Sequence, residues 1–119
     1  MKYIALLMLA AGPVAAQDYA MRTTDVVPDA VSLSRMILDR DLVYFDNGTS
    51  RYNTDGSYAW TYSAANGGGV WPGTYTVTDN IICIAFDSGM QRCDMFVLSG
   101  DRLTLLTVDG DRYPVRDIN

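Results

Sequence analysis

Cys83 and Cys93 are the residues of this chain whose chemistry is most sharply defined by type and spacing. Between them lies Asp87-Ser88-Gly89, a three-residue loop with glycine third, which suits a type I turn closed by a left-handed bulge residue. That loop pairs Phe86 with Met90, and counting back pairs Cys83 with Cys93. Directly opposed strand residues have Cβ atoms about 4.5–5.5 Å apart, and a modest adjustment brings two cysteines to disulfide distance. A structural disulfide is therefore expected. A redox-active pair is disfavoured, because the Cys-x-x-Cys spacing and helix N-terminus that lower a thiol pKa are both missing.

The aromatic residues form the second constellation. Tyr58, Trp60 and Tyr62 alternate with small and hydroxylic residues, as do Tyr75 and Val77. Side chains alternate faces along a strand, so these residues share one face, expected to point inward. Such a face is either a filled core or the wall of a ligand pocket, and Tyr58, Trp60, Tyr62 and Tyr75 are its candidate residues. Gly67-Gly68-Gly69 with Val70-Trp71 is a candidate interface loop, since tryptophan is a favoured anchor at protein interfaces. It lacks the lysine and the Ser/Thr of a phosphate loop.

Other chemistries are removed by composition. The chain has no histidine and no glutamate, and Lys2 is its one lysine. That excludes a Ser-His-Asp triad and histidine-bound metal, and after loss of Lys2 a lysine Schiff base. Two cysteines do not make a four-ligand zinc site. Aspartates fall mainly in turns, where their side chains bond nearby backbone. Asp109-Gly110-Asp111 does not match a calcium loop, and nothing selects two aspartates as a glycosidase pair. No catalytic residue, metal ligand or cofactor is assigned.

The elements that must position these residues follow a leader. Met1-Lys2, an apolar run from Tyr3 to Ala11, and Gly12-Pro13-Val14-Ala15-Ala16 read as a secretory signal peptide cut after Ala16. The product would be periplasmic or secreted, an oxidising setting in which disulfides persist. Removing sixteen residues from 119 leaves 103 and changes the net charge from −5 to −6. An acidic chain argues against nucleic acid and anionic membrane surfaces, and no later segment is long enough to span a bilayer.

Residues 17–28 read as a partly ordered arm, and 29–119 as one domain. Ala30 to Asp39 is the one plausible helix, capped by Asp29 or Ser34, with Val31, Leu33, Ile37 and Leu38 as its apolar face. Beyond it, turn signals recur between short apolar runs. They predict eight antiparallel strands at 42–46, 49–54, 57–64, 71–78, 81–86, 90–98, 102–108 and 112–118. The fold class is all-β, either a small up-and-down barrel or a strongly curved open meander.

Asp55-Gly56-Ser57-Tyr58-Ala59-Trp60, Gly73-Thr74-Tyr75-Thr76-Val77, Ile81 to Phe86 and the second cysteine resemble small exported proteobacterial β-domains of unknown function. Tyr75 stands where that pattern often has Trp. The resemblance spans about half of the mature chain and bears on fold more than activity. More loosely, the chain resembles lipocalin-like and avidin-like barrels, which implies a small-molecule pocket. The expected function is an exported binding module for an unidentified ligand. The alternatives are a structural or inhibitory partner of another exported protein and, more remotely, an aspartate-dependent hydrolase. Oligomeric state is left open.

Overall fold

The computed structural model describes residues 19–119; the segment expected to be a signal peptide, with its expected cleavage point, lies outside the described residues. Among the described residues, nine strands and one α-helix follow in chain order. They are β1 (Asp25–Val26), α1 (Ala30–Ile37), β2 (Asp41–Tyr44), β3 (Thr49–Tyr52), β4 (Ser57–Thr61), β5 (Val70–Thr78), β6 (Ile81–Phe86), β7 (Gln91–Ser99), β8 (Arg102–Thr107) and β9 (Arg112–Ile118). A 3₁₀ turn at Ala64–Asn66 leads into β5.

Each strand from β2 to β9 pairs antiparallel with the next, and β2 also pairs with β9. The sheet is thus an eight-stranded closed barrel, with β1 added to the end of β7 through Asp25↔Ser99 and Val26↔Leu98. All eight expected strands are present, and the choice between barrel and open sheet falls to the barrel.

Alternation fills the barrel from within. Leu42, Tyr44, Tyr52, Tyr58, Ile82, Ile84, Phe96, Leu103, Leu105 and Val115 form one buried cluster. Gly73 sits between Tyr58 and Phe86 in register. A Cβ there would lie 2.5 Å from the Ala85 carbonyl oxygen. The two flanking rings close over the glycine, edge to face, with centroids 5.8 Å apart.

Turns between successive strands alternate between the two barrel ends. At one end α1 acts as a plug, with Leu33 and Ile37 in the core cluster. The Asp29 carboxylate accepts from the Ser32 amide and caps the helix. α1 stops two residues earlier than expected. Asp39 turns left-handed at φ 57°, and its N–H bonds the Tyr52 carbonyl. Val31 is exposed rather than on the buried face. So is Val77, because β4 pairs β5 only as far as Thr74 and leaves the inner side of the β5 tip uncovered.

The N-terminal arm is more tightly held than its polar sequence implies. Tyr19 packs on an outer apolar patch of Met95, Val97 and Leu106, and its hydroxyl donates to the Cys93 carbonyl at 3.0 Å. Arg112 grips the fully buried Asp25 carboxylate with two bonds of 2.8 and 2.9 Å.

Candidate functional site at the open end of the barrel

The end opposite α1 carries the β2–β3, β4–β5, β6–β7 and β8–β9 turns. It opens into a cavity of about 560 Å³ walled by Tyr44, Phe45, Trp60, Tyr62, Leu105 and Tyr113. Trp60 contacts Tyr44 and Tyr62 with ring centroids at 5.8 and 5.7 Å. It lies across Gly48, where a Cβ would meet the indole at 2.5 Å. The short β2–β3 hairpin thus makes room for the ring that forms one wall. Asp46, Asp109 and Asp111 stand around the opening.

The floor is polar. Cys83 and Cys93 are directly paired and bonded, Cα to Cα 4.0 Å. The Gly89 turn has the expected form, with Gly89 at φ 98° and the Phe86 amide bonding the Met90 carbonyl. Since Cys93 is on the outer surface, its neighbours Arg92 and Asp94 face inward. Arg92 Nε donates to Asp94 Oδ2 at 2.9 Å and its Nη2 to the Tyr58 hydroxyl at 3.3 Å. Its guanidinium also lies 5.7 Å from the centre of the Phe86 ring, within cation–π range.

Burial pushes the Asp94 carboxyl above the usual carboxylate range, although the Arg92 charge pulls it back. Burial tends to lower Arg92, but the charge and hydrogen bond of Asp94 together with the Tyr58 and Tyr52 phenols outweigh it, so the guanidinium is held charged more firmly than usual. The Tyr58 phenol is pushed up to about 12 by burial. The hydroxyls of Tyr44, Ser50 and Tyr52 are also buried.

The four residues of the predicted aromatic face separate by depth. Trp60 and Tyr62 line the cavity, while Tyr58 is core and reaches the site through its bond to Arg92. Tyr75 lies toward the plugged end, where its hydroxyl donates to the Asn53 carbonyl at 2.7 Å and its ring meets Tyr52 edge-on. In the loop set, Gly67, Gly68 and Gly69 all have positive φ. Val70 and Trp71 are exposed, and Trp71 stacks edge-on against Tyr62 outside the cavity.

Arg92, Asp94, Leu105 and Tyr113 are absent from the sequence-derived candidates. Strand parity carries the signal for Arg92 and Asp94: both flank a cysteine whose partner strand turns Ile82 and Ile84 to the opposite face. Searches against family models, curated proteins and solved structures find no match.

Proposed function

We propose that this chain is an exported binding module that takes a small, largely apolar ligand in the open mouth of its barrel. The observation that carries the reading is the aromatic-walled cavity of about 560 Å³, within the size range of small-molecule sites. The disulfide fits an oxidising, extracellular-type compartment, in line with the leader sequence.

Native mass spectrometry of the protein purified from its own periplasm or medium tests this. A small adduct lost on denaturation is expected, and Leu105→Trp, which fills the cavity, should abolish it. Bare protein, even after incubation with concentrated host extract, would overturn the proposal. A second reading, an interaction partner of another exported protein, draws on exposed Val70 and Trp71 beside the glycine loop. On that reading Trp71→Ala, and not Leu105→Trp, would abolish complex formation.

A further inference from the structure

Arg92 is the one cation among the residues lining the cavity. It is held from behind by the Asp94 carboxylate, by the Tyr58 hydroxyl and by the Phe86 ring. Asp94 is 1% exposed and cannot follow a ligand outward, whereas the Arg92 side chain remains 42% exposed. Nη1 has no partner among the described residues. The guanidinium is therefore fixed in place with donor capacity toward the cavity.

A buried ion pair is a poor way to stabilise a core, since well-packed apolar residues often do as well or better. Here one member of the pair borders open space and the other fixes its orientation. A pre-organised guanidinium beside apolar walls is suited to an anionic oxygen, because its donors need no further ordering and charge-assisted bonds are the strong ones.

The opening limits how much negative charge can enter. Asp46, Asp109 and Asp111 border the cavity and form no ion pair among the described residues. One cation facing several carboxylates favours a single negative charge over a dianion such as a phosphate monoester. The walls favour a flat body, with Trp60 and Tyr62 on one side and Leu105 in the lining.

We infer that the mouth binds a small monocarboxylate with a planar apolar body, its carboxylate on Arg92 and its body against Trp60, Tyr62 and Leu105. This rests on the mouth being the ligand site. The test is calorimetric titration of the disulfide-intact mature chain with three probes of one shape: naphthylacetate, naphthylacetamide and protonated naphthylethylamine. The carboxylate should bind about tenfold or more tighter than the other two. Arg92→Gln should remove most of the carboxylate's advantage over the amide. If the lone Asp94 prevents that variant from folding, Arg92→Gln with Asp94→Asn replaces it. Equal binding of all three probes, or tightest binding of the amine, would overturn the carboxylate inference and leave the mouth as a site. No binding by any probe up to its solubility would overturn both.

Discussion

The disulfide acts on more than stability. A register slip of one residue moves every side chain of a strand to the other face. The Cys83–Cys93 bond fixes the register that turns Arg92 and Asp94 inward. Replacing both cysteines with serine should cost roughly 2–3 kcal/mol for a loop of this size, read as a lower thermal midpoint that reductant no longer changes. Unchanged stability under oxidising conditions would count against the bond.

The Asp25–Arg112 pair makes a second prediction at this scale. The hydrogen-bonded Arg112 guanidinium beside Asp25 holds its carboxyl down at about 2, below its ordinary 3.8. A carboxyl with a lowered folded pKa stabilises the fold above the unfolded value, and that stabilisation disappears as pH falls through the folded one. Asp25→Asn should therefore destabilise by about 3 kcal/mol at neutral pH, as when one partner of a buried pair is removed. The gap from wild type should narrow between about pH 4 and pH 2 in denaturant titrations. A gap that stays constant over that range would rule out the ion pair as its source.

Among the elements, the strands were the most readable because their turns carry strong local chemistry. Asp87-Ser88-Gly89 set both a hairpin and a cysteine pairing that the fold reproduces. What escaped depends on neighbours distant in sequence. Val77 follows the alternation of its strand yet is exposed, because β4 ends before reaching it. The docking of the N-terminal arm depends on an outer apolar patch assembled from β7 and β8. The mouth residues Leu105 and Tyr113 come from two separate strands, so no single stretch announces them. Gly73 makes the element-scale prediction. Its Cβ would collide with the β6 backbone, and backbone cannot step aside as a flexible side chain can. Gly73→Ala should lower stability by about 1–3 kcal/mol, the range for overpacking, and disturb the Tyr58–Phe86 contact, visible as altered near-ultraviolet circular dichroism.

For the whole molecule, one end is closed by α1 and the other left open, and that asymmetry gives a filled core and a cavity in the same small barrel. The aromatic face had two readings in the sequence, packing or pocket. The structure separates them by depth: Tyr58 packs in the core, and Trp60 borders the open mouth. A strand pattern reports which face a residue occupies but not how far along the barrel axis it lies relative to a plug formed by another segment.

The seam between β2 and β9 has a consequence in time. All other barrel pairings join strands adjacent in sequence, whereas this one joins the first barrel strand to the last, through three residue pairs and a bulge. Hairpins of neighbouring strands can form locally, but ring closure must await the final strand and bear the entropy of a long loop. A chain synthesised N-terminus first would thus stay unclosed until β9 was complete. The same seam should be the first to part in the finished barrel, so the amides of Asp41 and Val43, which face β9, should exchange with deuterium faster than those of Ile82 and Phe96.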